Sequence, residues 1–312
     1  MRLAIRHISR FSFDESAAYA LQRLRLRPQS GPGQTVRAWQ VTVDGVEPTL
    51  SYADGLGNRV DLVRRERDRA GIVVTAAGVV ETRDRAGIVG PVDGYAPPWV
   101  FERETELTQA GDAVRALAAE LPIEPRSLDA LHWLMTEVHG RVAYAPGEGE
   151  AADDAETVLR TGAGTSRDHA HAFIAAARAL GIPARYVSGY LLTDAPLQRI
   201  AEALQAVGVA QQVQQMAYEA SPAAARAGDA ERQAGAPRDG AVGSPPSGHA
   251  WAEAYVDGLG WVGFDPFMNR CPDERYVRIA TGLDQRDARP VHGIGARLVS
   301  VEINVAQAPE LV

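Results

Sequence analysis

The stretch His249-Ala-Trp251-Ala-Glu253-Ala-Tyr255-Val256, continuing through Asp257-Gly-Leu-Gly260 into Trp261-Val-Gly-Phe-Asp265-Pro266, decides the architecture. Its two arms alternate with period two around a glycine-bearing turn, which is the signature of a β-hairpin. Pro266 ends the second strand because it cannot donate to a ladder. The parity of the loop then decides which side chains share a face. An even loop places His249 and Asp265 on opposite faces. An odd loop, such as three residues with a glycine-assisted bulge, places them together. Side-chain sorting selects the odd loop. It gathers His249, Trp251, Glu253, Tyr255, Trp261 and Asp265 on one face and leaves Ala250, Ala252, Ala254, Val256, Val262 and Phe264 on the other. A buried histidine beside a carboxylate is either a base with its orienting group or a core histidine satisfied by an ordinary acid.

Upstream, Gly164-Thr-Ser166-Arg167-Asp168-His169-Ala-His171 opens a helix whose apolar face carries Ala170, Phe173, Ile174 and Ala177. Gly181 and Pro183 mark its end. Ser166 therefore falls in the first turn, where free N–H groups and the positive end of the helix dipole stabilise an anion. That setting suits a nucleophile and a developing oxyanion; it equally suits a simple capping residue. His169 and His171 point roughly 200° apart on a helix, so no metal site with His249 is expected. No cofactor is implied.

The rest of the chain sorts into two regions by periodicity. Residues 1–95 alternate as strands. Leu3, Ile5, His7, Ser9, Phe11 and Phe13 oppose Arg2, Arg6 and Arg10, and further strands are expected at Trp39–Val43, Val60–Val63, Ile72–Ala76 and Val79–Thr82. Residues 96–312 open with a proline-rich linker and turn helical at Leu107–Leu121 and Leu128–Val142. A stretch near 194–248, rich in Ala, Gln, Gly, Ser and Pro, reads as an insertion beside the cleft, with a lid or partner site as its functional alternative. The heptapeptide Arg-Asp-Arg-Ala-Gly-Ile-Val occurs at 67–73 and again at 83–89. Two such short copies make no solenoid.

A net charge of −8 argues against nucleic acid and against anionic membranes. The first thirty residues nevertheless hold six arginines against two acids, which reads as a solvated strand face or as a basic groove for an acidic substrate. A single cysteine, Cys271, excludes an internal disulfide and a multi-cysteine zinc site. With no signal-like leader and no long apolar run, the expectation is a cytoplasmic protein. Oligomeric state has no signature here.

Ser166 to Phe173, Ala179-Leu-Gly-Ile-Pro-Ala-Arg-Tyr-Val-Ser-Gly-Tyr190, His249 to Tyr255 and Gly260 to Pro266 together resemble the bacterial transglutaminase-like family. Arg23 to Pro28 with Gly57-Asn58 resemble its N-terminal β region, and Asp273 to Val277 resemble the segment after its aspartate. The resemblance implies an α+β fold: an N-terminal antiparallel β domain, then a papain-like core in which the nucleophile helix packs on an antiparallel sheet. It implies a cysteine peptidase, amidase or acyl transferase acting on a peptide or protein amide. By position it assigns His249 as general base, Asp265 as orienter and residue 166 as nucleophile. Arg167 and Asp168 fall on flanking positions, Trp251 and Trp261 on the cleft. The backbone N–H of Ser166 supplies one oxyanion donor, and Tyr144 is the candidate for the other.

Ser166 stands where the family carries cysteine. A hydroxyl is far less acidic than a thiol and must lose its proton during attack. The serine has three readings: a substitution introduced to silence a cysteine enzyme, a natural residue of a non-catalytic binding protein, or a working serine-dependent amidase. The stretch Gly164-Thr-Ser-Arg-Asp168 lacks the second glycine of a serine elbow, which weakens the third. Cys271, followed by Pro272 and remote from any expected helix start, does not replace the missing thiol.

Overall fold

The computed structural model describes residues 1–13, 21–64, 70–91, 96–122, 124, 126–145, 152–192 and 248–308. The insertion read near 194–248 lies outside them except for Gly248, and so do residues 67–69 of the first heptapeptide copy.

The chain begins with six antiparallel strands: β1 (Arg2–Phe13), β2 (Leu21–Leu24), β3 (Gln34–Val43), β4 (Leu50–Ala53), β5 (Arg59–Arg64) and β6 (Gly71–Thr82). The two runs expected at 72–76 and 79–82 are one continuous strand. Gly78 bridges them because a Cβ there would lie 2.1 Å from the Ala38 carbonyl oxygen, so Trp39 and its neighbours close over bare backbone. Next come β7 (Ile88–Gly90), α1 (Asp112–Ala119), α2 (Leu128–Arg141), β8 (Ala143–Tyr144), α3 (Ala155–Thr161), β9 (Ala163–Gly164) and α4 (Ser166–Ala179). Then follow β10 (Ala184–Leu191), β11 (His249–Val256), β12 (Gly260–Phe264), β13 (Tyr276–Gly282), α5 (Gln285–Ala288), β14 (Val291–Ile294) and β15 (Ala296–Gln307). Helix α1 is shorter than the 107–121 pattern. Glu156 of α3 accepts from the N–H groups of Ala113 and Val114 and so defines where the helix starts.

The strands form sheets ordered β15-β1-β6-β3, β14-β2-β5-β4 and β13-β10-β11-β12-β7, with β8 and β9 as a short parallel pair. The boundary expected near residue 95 is therefore not where the sheets divide. β7 joins the five-stranded sheet beside β12, while β14 and β15 return from the C-terminal end to pair with β2 and β1. The apolar face of β1 explains the interleaving. Leu3 and Ile5 pack into the cluster around α4, whereas Phe11 and Phe13 pack against Leu24 and Leu26 in the second layer. Between them His7 bonds the Tyr190 hydroxyl at 3.0 Å and the Ser9 hydroxyl at 2.9 Å, satisfying the polar groups that the two apolar clusters leave at their junction.

Helix α4 occupies the centre. Every residue from Ser166 to Arg178 is buried, and Ala184, Ala250, Ala252, Ala254 and Phe264 of the five-stranded sheet join the same cluster. Small residues on β11 let helix and strand approach closely. Arg178 closes the far end of α4, donating to the carbonyls of Phe101, Ala184 and Leu283 and to the Thr108 hydroxyl. Burial lowers its pKa to about 10, so it stays charged at neutral pH. Among the described residues no helix is long and apolar enough to cross a membrane.

Replacing Arg178 by alanine strips four buried acceptors of their donor at once. Urea denaturation of Arg178→Ala should show a loss of about 3–5 kcal/mol, the cost of breaking a buried charged network. A midpoint unchanged from the parent would contradict this assignment. A second expectation concerns acid. His7 and His171 are both pushed down to about 4 by burial, so the folded chain holds them neutral while the unfolded chain protonates near 6.5. Their contribution is complete above pH 6.5 and is lost as pH falls through 6.5 toward 4. By pH 4 the loss is on the order of 3 kcal/mol per histidine. Melts of the parent and of His171→Gln across that window should converge as pH drops.

Candidate active site

The hairpin has the parity that side-chain sorting demanded. Tyr255 pairs with Trp261 and Val256 with Gly260, leaving the three-residue loop Asp257-Gly258-Leu259. Positive φ at Gly258 and Gly260, 80° and 79°, is the conformation that makes glycine necessary there. His249 and Asp265 consequently meet. The imidazole Nε2 lies 2.6 Å from Asp265 Oδ2, with both side chains buried.

Asp265 is held from three directions. Its Oδ2 also accepts from the Tyr276 hydroxyl at 2.8 Å, its Oδ1 accepts from the Met268 backbone at 3.1 Å, and its own backbone pairs with Arg270 across a tight loop. Burial pushes the Tyr276 hydroxyl strongly up, with the Asp265 charge as the next cause, so Tyr276 is a fixed donor rather than a base. The loop is stapled from outside by His139, whose Nδ1 lies 3.0 Å from the Pro266 carbonyl oxygen. It brings Phe267 back over the site, 6.0 Å from the His249 ring and 5.3 Å from the His169 ring. Trp251 stacks on His249 at 6.2 Å and Tyr276 meets it edge-on at 5.7 Å.

Ser166 opens α4 directly after β9. Asp168 locks this start by accepting from the Thr165 N–H at 2.6 Å, the Thr165 hydroxyl at 2.7 Å and the Asp153 N–H at 2.9 Å. Asp168 thus holds the helix terminus and does not act on His249. The Ser166 Oγ itself is buried and has no hydrogen-bond partner among the described residues. Two neighbours tie it to the His–Asp pair. Arg167 lines one small cavity together with His249, and His169, one turn along α4, shares the Phe267 ring with His249. His169 lies between the carbonyls of Thr165 and Val142; burial lowers its pKa, and the neutral ring donates to one of them at a time.

Tyr144 pairs in register with Gly164, two residues before Ser166, and its ring meets Phe267 at 5.6 Å. It therefore borders the site, half exposed. Trp261 does not. It shares a face with His249 but sits opposite Tyr255, six residues along β11 and roughly 20 Å away at strand spacing. There it packs on the Arg185 guanidinium and on Phe101. The cleft expected at residues 166, 249 and 265 is not open among the described residues. Ser166, His249 and Asp265 are 2%, 4% and 0% exposed, and the cavity beside Arg167 and His249 holds about 20 Å³. The rings of Trp251, Phe267 and Tyr276 fill the space around the pair.

Phe267 and Tyr276 are the contributors that sequence reading did not assign. Phe267 follows the Asp-Pro dipeptide in a loop without periodicity, and Tyr276 was legible only as part of a family-like segment. Among the described residues no group of histidines, cysteines and carboxylates is arranged to hold a metal.

Residues 115–266 match the transglutaminase-like superfamily core, and residues 3–81 match the bacterial transglutaminase-like N-terminal region. An uncharacterised protein of Mycobacterium leprae is 23% identical over 323 residues, covering 97% of this chain and 96% of its own. Another from Mycobacterium tuberculosis is 23% identical over 313 residues, covering 94% and 87%. The crystal structure of a candidate cysteine protease from Cytophaga hutchinsonii superposes with a TM-score of 0.67 at 19% identity, covering 100% of this chain and 92% of that one, which bears on the fold alone. The chain belongs to the transglutaminase-like superfamily, its core preceded by the bacterial N-terminal β region.

Proposed function

We propose that this scaffold serves acyl transfer from a peptide or protein amide, with residue 166 as nucleophile, His249 as general base and Asp265 as orienter, and that the serine form has little or no activity. The observation that carries the reading is the His249 Nε2–Asp265 Oδ2 contact of 2.6 Å, with Phe267 packed against both His249 and His169 of α4. With Nε2 committed to Asp265, Nδ1 is the ring atom that takes the nucleophile's proton and returns it to the departing amine. The acyl group is then released to water or to an amine. The Ser166 N–H at the helix start, with Tyr144 on the neighbouring strand, serves the oxyanion. A cytoplasmic setting belongs to the same proposal.

One observation favours a second reading, a non-catalytic member that binds a peptide or protein. The Ser166 hydroxyl makes no hydrogen bond among the described residues, and the cavity beside Arg167 and His249 has room for one water. The unpartnered hydroxyl also counts against a working serine amidase, since a serine nucleophile needs its base in hydrogen-bond contact.

Ser166→Cys should create amide hydrolysis or amine transfer on a library of glutamine-containing peptides, and His249→Ala in that background should lower it by about 10²–10⁴-fold. Silence of Ser166→Cys across the library, with the fold intact, would move the assignment to the binding reading. Chemical labelling gives an independent check. Burial pushes the Cys271 thiol up to about 11, so at pH 7.5 roughly 0.03% of it is thiolate. Iodoacetamide at that pH should therefore modify position 166 of Ser166→Cys ahead of Cys271, although position 166 is the more buried of the two, as read by peptide mass spectrometry. Equal labelling of both sites would remove the case for an activated thiol there.

A further inference from the structure

A cavity of about 340 Å³ lies on the face of the five-stranded sheet turned away from α4, between that sheet and the segments 29–34 and 83–87. This is the size of a small-ligand site. Its inner surface is charged. Arg185 Nε donates to Glu253 Oε2 at 2.7 Å, and Arg278 Nη2 reaches the same oxygen at 3.3 Å. Two guanidinium groups thus share a single carboxylate. Arg185 Nη2 lies 2.6 Å from Glu253 Oε2 and Arg278 Nε 3.1 Å from Oε1 as ion-pair contacts, and neither nitrogen has an aligned hydrogen-bond acceptor among the described residues. Arg185 is only 5% exposed, and its guanidinium is fixed by the Trp261 ring 3.9 Å away. Arg185 and Glu253 are buried and Arg278 is half-buried, so an anion that meets the surplus positive charge and the unaligned donors lowers the cost of holding this cluster.

The mouth of the cavity adds to this charge. The second heptapeptide copy supplies Arg83 and Arg85, both exposed, and the Arg85 side chain crosses to Gly33 on the opposite loop. Arg83 pairs with Glu81 at 3.9 Å, whereas Arg85 forms no ion pair among the described residues. Asp273 also lines the cavity, but Arg275 already grips it with both Nε and Nη2. The basic groove suggested by the arginine-rich N-terminus lies here instead, because Arg25 and Arg27 are neutralised by Asp54 and Asp61.

We propose that this cavity binds the carboxylate of an acidic peptide, received by Arg185 and Arg278 and screened at the mouth by Arg85. One surplus positive charge on the inner surface matches a monoanion better than a dianionic phosphate, and the fork of an arginine fits a carboxylate geometrically. Trp251 and Tyr276 also line this cavity, and the same two side chains touch His249 and Asp265. An acidic peptide held here lies against the back wall of the His–Asp pair. As a substrate contact the site rests on the amide-transfer reading; as a binding site it does not depend on it.

The test is calorimetric titration of the unaltered Ser166 chain, in which turnover plays no part. Three peptides are compared: a glutamate-containing tetrapeptide amide, its glutamine counterpart, and the glutamine peptide with a free C-terminal carboxylate. At least one carboxylate-bearing peptide should bind about tenfold more tightly than the neutral amide, the worth of one charge-assisted hydrogen bond. Arg278→Gln and Arg85→Glu should each erase most of that preference, with the melting profile of the exposed Arg85→Glu variant unchanged. Equal binding of all three peptides, no saturable binding, or displacement by inorganic phosphate as readily as by the acidic peptide would each overturn the proposal.

Discussion

Helix α4 is enclosed on every side, and that single constraint governs its surroundings. A helix without a solvent face must satisfy each of its polar side chains inside the protein. Asp168 consumes the Thr165 and Asp153 donors, His171 accepts from the Gln285 N–H, and Arg178 collects carbonyls from three separate segments. These bonds reach β10, α5 and the turn at Pro98–Glu102, so the helix fixes the position of every element that touches it. The rigidity is local to residue 166 as well. Its backbone N–H is held at a defined helix terminus, where an anion would be stabilised.

The His249–Asp265 pair depends on that frame through β11, whose alanines lie flat on α4 while its odd-numbered residues face the other way. The pair is then wrapped in aromatic rings. Trp251, Phe267 and Tyr276 exclude water from the imidazole, which strengthens its bond to the carboxylate. Against this preparation stands the Ser166 hydroxyl, which has no partner among the described residues. On the proposed reading, His249 and Asp265 form the orienting pair for a proton acceptor while position 166 holds a hydroxyl, which is less acidic than a thiol.

The sheet behind the pair faces the N-terminal layer, and the two are not separable. β7 lends a strand to the core sheet, β15 lends one to the N-terminal sheet, and the face of β1 serves both apolar clusters. Buried charge collects in the gap between the layers, where Glu253 is divided between Arg185 and Arg278. Burial acts to raise the Glu253 pKa, and the two arginines outweigh it, leaving the carboxyl below its usual range. The cluster is thus ionic rather than neutralised by proton uptake.

Local pattern alone determined the strand faces of β1, the hairpin register that brings His249 and Asp265 together, the helix carrying Ser166 and the polar cap at its start. These follow from periodicities of two and 3.6 and from turn chemistry, which act between near neighbours. Only the tertiary structure decided that Trp261 stands at the remote end of the hairpin, that Phe267 and Tyr276 close over the imidazole, and that the C-terminal strands return to the N-terminal sheets. It also decided that the arginines of the first thirty residues are largely paired while others create the basic cavity. Those outcomes depend on which distant segments meet, and neither alternation nor composition encodes distance along a strand or the partner of a buried charge.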